Sequence, residues 1–190
     1  EHHGSFRLGV VAFRTMTDRE YATKLFDLSD DLEAADLFLR GLTPDGGGAE
    51  CSDAGLMRAV EDISWSAGSR KVILLIGDEQ THPGRRPAIL KAAAMAKDRG
   101  IVVHALTASS TAWNYWAGTN PELAAQWLAR NGEAAKAHFT LPDYDEAAKT
   151  TGGLSKGVAD AGDLLRWLLA VALHREADAE SLDVDAFEKW

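Results

Sequence analysis

The chain has 190 residues, 46% of them hydrophobic and 26% charged, which suits a folded domain with its own core and excludes disorder throughout. Lys and Arg number 20 against 29 Asp and Glu, so the net charge of −9 argues against a nucleic-acid binder, which needs a basic surface. The single cysteine, Cys51, excludes an intrachain disulfide and a cysteine-based zinc site. No apolar run approaches the roughly 20 residues that span a bilayer.

The two ends of the sequence are expected to lie outside the folded domain. The chain begins without Met or a signal peptide, so we interpret it as a mature piece or a fragment, and no compartment is predicted. Residues 1–5 are interpreted as a tag scar or the end of an upstream helix. Residues 6–174 are the predicted domain, and residues 175–190 form an acidic tail.

The first part of the chain predicts two strands followed by two helices. Runs rich in β-forming residues indicate the strands, and Ser and Asp before a leucine-rich stretch indicate a helix cap. A glycine-rich loop, residues 44–48, precedes the second helix. The predicted strands cover residues 6–13 and 22–28, and the predicted helices cover 32–40 and 50–63.

The rest of the chain alternates between strands and helices. The predicted strand at residues 71–77 is continuously apolar from residue 72 to residue 76, which is typical of a strand buried on both faces in a parallel sheet. Residues 107–120, which are rich in aromatic side chains, are predicted to be irregular. The other predicted elements are strands at residues 101–106 and 137–141 and helices at residues 88–99, 121–130, 143–150 and 160–174.

This alternation predicts an α/β sandwich around a mostly parallel sheet. Ligands of such sheets bind beyond the carboxyl ends of the strands. Asp78 directly follows the strand at residues 71–77, and the glycine loop precedes the helix at residues 50–63. Both therefore fall on the edge of the sheet where a binding site is expected.

A triple glycine, a Trp-x-x-Gly turn, an apolar strand ending in Asp and a His-Pro-Gly loop follow one another over residues 46–84. In this order they resemble the middle of a von Willebrand factor A (vWA) domain, and weaker similarity extends over residues 6–174. The resemblance implies a Rossmann-like three-layer sandwich whose mostly parallel central sheet is flanked by helices. It also implies that the chain is a protein-binding or scaffold module.

The resemblance further implies a metal-ion-dependent adhesion site at the top of the sheet, where hard oxygen ligands would bind Mg²⁺ or Mn²⁺. Asp78 and Ser52 take the positions of two ligands. The Asp-x-Ser-x-Ser motif that supplies the others is absent, because the strand that carries it would precede residue 1. We therefore expect an upstream segment or a second chain to complete the sheet. A metal-free structural scaffold is the alternative.

The predicted partner is another protein, which would contact the top edge of the sheet. It would contribute an acidic residue to the metal or bind the aromatic loop, since aromatic side chains are enriched at interfaces. The tryptophans of that loop could equally fill the core. The predicted partner-binding residues are Gly47, Gly48, Glu79, His82, Trp113 and Trp116.

An enzyme is the rival function class. Asp78, Glu79 and His82 could serve a Rossmann-like hydrolase or a nucleotide-binding enzyme, but no spacing fixes a nucleophile and no phosphate-loop pattern is present, so we predict no enzyme. Cys51 next to a helix start could be an activated thiol or a small buried residue. Alternatively, Ser52 could simply cap this helix, and the carboxylate of Asp53 could occupy its first turn.

Overall fold

The computed structural model describes residues 6–15, 21–43 and 50–173. Strands and helices alternate along these ranges, and two short 3₁₀ helices lie at Pro83–Arg85 and Glu133–His138. The strands are β1 Leu8–Phe13, β2 Thr23–Ser29, β3 Lys71–Gly77, β4 Ile101–Ala108 and β5 Ser155–Val158. The helices are α1 Leu32–Arg40, α2 Ser52–Glu61, α3 Arg86–Asp98, α4 Ser109–Thr119, α5 Pro121–Asn131, α6 Pro142–Thr151 and α7 Ala161–Ala172.

The strands belong to two separate sheets. β3, β4 and β5 form a parallel sheet in that order, with Leu74 paired with His104 across the first ladder. β1 and β2 form an antiparallel pair, with Val11 opposite Leu25. The predicted α/β sandwich with a mostly parallel sheet is confirmed, and the structure adds that the first two strands stand apart from it.

Helices cover both faces of the parallel sheet. α3 and α6 pack against each other and against β4, on the face to which Leu75 and Val103 point, and α2 packs against α3 and β1. α7 packs on the other face through Trp167, which joins Leu74 and Leu106 in a smaller apolar cluster. Because side chains alternate between the two faces of a strand, continuously apolar strands such as β3 and β4 can feed both clusters.

The segment predicted to be an irregular aromatic loop is regular, so this prediction is wrong. β4 continues to Ala108, and α4 follows it directly. Trp113 and Trp116 on α4 are each only 6% exposed and pack against Trp127 and Phe139, with ring centroids 5.0–5.7 Å apart. Both tryptophans are therefore core residues and do not form the predicted contact surface, because their apolar area is buried within the chain.

The predicted strand at residues 137–141 is also wrong. Most of that segment belongs to a 3₁₀ helix and the turn that places Phe139 in the core, and the strand beside β4 is β5. The chain approaches its neighbours closely at two glycines, one just before β5 and one within it. A Cβ atom at Gly153 would lie 1.9 Å from the carbonyl oxygen of Val103, and one at Gly157 would lie 2.1 Å from the Ser109 hydroxyl. The glycines thus let this strand reach the sheet.

The predicted N-terminal cap of α1 is present, and the closing helix has a cap of the same kind. The Asp31 side chain accepts a hydrogen bond from the Ala34 amide and caps α1, which ends at Gly41. Asp160 caps α7 in the same way. Within the described part of the chain, no helix has both the length and the apolarity that crossing a membrane would require.

Candidate functional site

A cleft of about 430 Å³ lies between the two sheets, and we name it the inter-sheet cleft. One wall is formed by β1 and the residue after it, and the facing wall by the end of β3 and the two residues that follow. Its lining combines apolar side chains with carboxylates, a hydroxyl, a phenol and a guanidinium. The lining residues are Val11–Arg14, Tyr21, Leu42, Thr43, Glu50 and Ile76–Glu79.

The closed end of the cleft is made by the segment that leads into α2. The Glu50 amide donates to the carbonyl of Gln80, and the Glu50 carbonyl accepts from the His82 amide, at 3.3 and 3.2 Å. On the other side the Cys51 amide donates to the carbonyl of Arg14 at 3.0 Å. Through these bonds, Glu50 and Cys51 link the residues that follow β1 to the residues that follow β3.

The structure places two of the predicted site residues in this cleft. Asp78 follows β3 as predicted, is half-buried and lines the cleft together with Glu79. The predicted contact residues Gly47 and Gly48 lie outside the described residues. His82 is exposed and is not among the lining residues; its ring caps the short 3₁₀ helix by accepting a hydrogen bond from the Gly84 amide.

Ser52 lies at the start of α2 and is fully buried. Its hydroxyl is 2.6 Å from the hydroxyl of Thr81, so the two side chains hydrogen-bond each other. The residue at the N-cap is Cys51, so the alternative in which Ser52 caps the helix is wrong. Burial raises the pKa of the Cys51 thiol, which is the opposite of what an activated nucleophile needs.

A buried polar cluster surrounds Ser52 beneath the cleft. Asp143 accepts a hydrogen bond from the Thr81 amide at 2.8 Å through one carboxylate oxygen. The other carboxylate oxygen has no hydrogen-bond partner among the described residues, and the neighbouring Tyr144 is fully buried. Burial raises the pKa of Tyr144 well above its usual range. The phenol packs so close to β3 that a Cβ atom at Gly77 would lie 2.5 Å from its oxygen.

The described residues supply few ligands for the predicted metal site. No group of three or more His, Cys, Asp or Glu side chains within them is placed to hold a metal ion. The Ser52 hydroxyl is already bonded to Thr81, and Asp78 supplies a single carboxylate. Two oxygen ligands bind Mg²⁺ weakly. Mg²⁺ binding therefore stays a prediction that needs ligands from outside the described residues.

An ion pair that the sequence analysis missed fixes the start of α2. Arg85 Nε donates to both carboxylate oxygens of Asp53, at 3.0 and 2.8 Å, and its Nη2 lies 2.7 Å from Oδ2. Asp53 is only 3% exposed, and its hydrogen bond raises the pKa of Arg85. The pair links α2 to the loop after β3, so it holds the closed end of the cleft in place.

The cation of the cleft comes from the β1 side. Arg14 is 6% exposed, donates to the Thr43 hydroxyl at 2.6 Å and stacks on Tyr21, with its guanidinium carbon 4.2 Å from the ring centroid. The Lys24 amine lies 4.2 Å from the same centroid. Basic and aromatic residues around a strand end carry no distinctive spacing, which is why the sequence did not reveal this contact.

Comparison with known proteins supports the fold. No protein-family model matches the chain, and no curated protein is significantly similar to it. One similar solved structure is that of an aerotolerance-related membrane protein from Bacteroides fragilis NCTC 9343 with multiple mutations to serines. It is 15% identical, covers 93% of this chain and 80% of its own, and has a TM-score of 0.55. At this identity the likeness extends to the fold alone, which is an α/β sandwich with a parallel sheet flanked by helices.

Proposed function

We propose that the chain is a vWA-like protein-binding module and that the inter-sheet cleft is its contact surface. The observation that carries the proposal is the cleft itself, which is bounded by two strand edges and lined by both apolar and charged groups. Binding sites combine an apolar surface with a few polar groups that fix orientation. The cleft lies at the end of β3, where a ligand of a parallel sheet is expected.

The charged groups that line the cleft favour a peptide or protein partner over an anionic ligand. Glu50, Asp78 and Glu79 provide three carboxylates, against the single guanidinium of Arg14. Like charges repel phosphate and nucleotide ligands. A partner with a basic side chain beside apolar ones matches the lining better.

Site-specific crosslinking tests this proposal. We would place a photoreactive amino acid at Glu79 in the cleft and, in a matched control, at Arg130, which is exposed on α5 and does not line the cleft. The crosslinked partner would be identified by mass spectrometry, purified and tested for binding to wild type and Val11→Asp. A discrete partner captured from position 79 and lost in Val11→Asp supports the proposal. Equal capture from both positions contradicts it, as does ester or phosphoester turnover that is lost in Asp78→Ala.

The role of Mg²⁺ is tested separately by calorimetric titration of wild type and Asp78→Ala with Mg²⁺ and Mn²⁺. Saturable binding at one site that disappears in Asp78→Ala supports a metal-assisted contact at the cleft. A folded chain that binds neither ion at millimolar concentration supports the metal-free module instead.

A further inference from the structure

Thr81 is held by side chains from two helices. Its hydroxyl is hydrogen-bonded to the Ser52 hydroxyl at the start of α2, at 2.6 Å. Its amide donates to one carboxylate oxygen of Asp143, at the start of α6, at 2.8 Å. Thr81 also forms a bridge with Glu50 and is only 3% exposed. The chain that follows β3 is therefore anchored at this residue from several sides.

Residues 78–80 lie between two fixed points of the chain. Gly77, the last residue of β3, is paired with Thr107 in the parallel ladder, and Thr81 is the next residue held by side chains. The two acidic residues of the segment line the inter-sheet cleft. Three residues have few conformations once both ends are fixed, because the backbone freedom left to them is small. The position of Thr81 therefore decides how this segment faces the cleft.

α6 is a firm support for Asp143. Ala147 and Ala148 on this helix are fully buried in the main core. At the far end of the helix, the Thr151 hydroxyl accepts a hydrogen bond from the Val103 amide of β4, at 2.9 Å. Asp143 lies in the first turn, where the helix dipole favours a negative charge. Its carboxylate thus connects the core of the parallel sheet to the segment at the cleft.

A carboxylate is an expensive side chain at position 143. Asp143 is 5% exposed, and one of its oxygens has no hydrogen-bond partner among the described residues. Burying a carboxylate is unfavourable unless hydrogen bonds replace its lost hydration. An apolar side chain would avoid this penalty, but it would leave the buried Thr81 amide without its acceptor. Departures from the usual packing rules are expected at functional sites.

We propose that Asp143 is a positioning residue of the inter-sheet cleft, which acts through the Thr81 amide to fix residues 78–80 in the cleft wall. This inference rests on the proposed function and adds a residue outside the cleft on which partner binding depends. Asp143 is not among the lining residues, so it acts without contacting the partner. Its effect is preorganisation, because a wall that is already ordered loses less entropy when the partner binds.

Amide exchange and chemical shifts, measured by NMR spectroscopy on the full chain, test the local effect. Asp143→Ala removes the acceptor, so the Thr81 amide should exchange about tenfold faster, and the amide resonances of residues 78–80 should shift. Asp143→Asn keeps an oxygen acceptor and should restore both properties nearly to wild type. If Asp143→Ala does not fold, Asp143→Leu takes its place, because it has a similar volume and no acceptor.

Thr151→Val is the matched control, because it removes a hydrogen bond of the same helix at its opposite end. It should lower the free energy of unfolding and leave the resonances of residues 78–80 in place. Equal shifts in Thr151→Val and Asp143→Ala would show that loss of stability alone moves the segment, and would overturn the proposal. An unchanged exchange rate of the Thr81 amide in Asp143→Ala would overturn it as well.

The effect on binding is measured with the purified partner protein that crosslinks from position 79. Asp143→Ala should weaken its affinity about fivefold, and Asp143→Asn and Thr151→Val by less than about twofold. Unchanged affinity in Asp143→Ala, with shifted resonances at residues 78–80, would reject the positioning role and keep the proposed function. Absence of any partner at position 79 would overturn both, so the two failures can be told apart.

Discussion

The parallel sheet and the two-stranded sheet are built from similar strands but are packed very differently. β4 is buried along almost its whole length, between helices on both faces. Every residue of β1 and β2 is only half-buried, and among the described strands each of the two pairs with the other alone. Burial of apolar area supplies most folding stability, so the parallel sheet is the stable body of the molecule. The two-stranded sheet is the less stable part, and it forms one wall of the cleft.

The largest expected loss of stability comes from truncating a buried aromatic side chain in the core beside the parallel sheet. Phe139 is 1% exposed and contacts three tryptophans, so Phe139→Ala should lower the free energy of unfolding by about 3–5 kcal/mol. Phe26→Ala, which removes a half-buried ring that packs on Phe38 in the other region, should cost about 1–2 kcal/mol. Urea denaturation measures the free energy of unfolding of both variants. Equal losses in the two variants would contradict the conclusion that the parallel sheet is the more stable region.

A substitution at the contact between α2 and β1 should have a smaller effect on stability, confined to the two-stranded sheet. Gly55→Ala places a methyl group against the Phe13 ring, so α2 and β1 must separate, at a cost of about 1–2 kcal/mol. Hydrogen exchange should become faster at residues 8–13 and 23–29 and stay unchanged at residues 101–108. Gly118→Ala is the matched control, because it adds a methyl group in open space within α4 and should stabilise by about 0.5–1 kcal/mol.

The Asp53–Arg85 pair should contribute about 1 kcal/mol at the closed end of the cleft. Its carboxylate is buried and its guanidinium is about one-third exposed, so solvent screens the pair only in part. A double-mutant cycle of Asp53→Asn and Arg85→Gln gives the coupling energy from urea denaturation. The same cycle on the exposed pair of Asp36 and Arg40 should give below about 0.5 kcal/mol. If the coupling energy of Asp53 and Arg85 is no larger than that of the control pair, the buried pair does not stabilise the closed end of the cleft.

The smallest expected effect is a pH dependence that belongs to the parallel sheet. His104 on β4 is buried, and burial, aided by the charge of Arg70, lowers its pKa below the model-peptide value of 6.5. The unfolded chain therefore takes up this proton more readily, and stability should decline as the pH falls below about 6.5. His104→Asn keeps an acceptor for the Leu154 amide and should flatten this dependence in urea midpoints between pH 5 and 8. An unchanged pH profile would show that another group is responsible.

Much of the fold could be predicted because local patterns determine it. The strand at residues 71–77 was predicted with the bounds that the structure has, since a continuous apolar run between polar residues is a strong signal. The short strand β5, Ser155–Val158, has only one apolar side chain apart from its glycine and gives no such signal. The aromatic segment of α4 has spacing compatible with a surface or a core, and only its packing against Phe139 decides between them.

The candidate site was predicted only in part. Asp78 was correctly placed at a strand end, because the strand before it was identified and ligands of parallel sheets collect there. The hydrogen bond between Ser52 and Thr81 could not be predicted, since it joins residues 29 positions apart that share no motif. The same holds for Asp53 and Arg85, which meet only after α2 and the loop following β3 are packed together.

The sequence by itself determined the strands and helices of the first half of the chain, the parallel character of the main sheet and the position of Asp78 at its edge. Hydrophobic periodicity and glycine placement act over a few residues, so they are already present in the chain before it folds. Only the tertiary structure decided that the strands divide between two sheets and that a cleft lies between β1 and β3. Which edges face each other depends on long-range packing of helices against strands, and no local pattern records it.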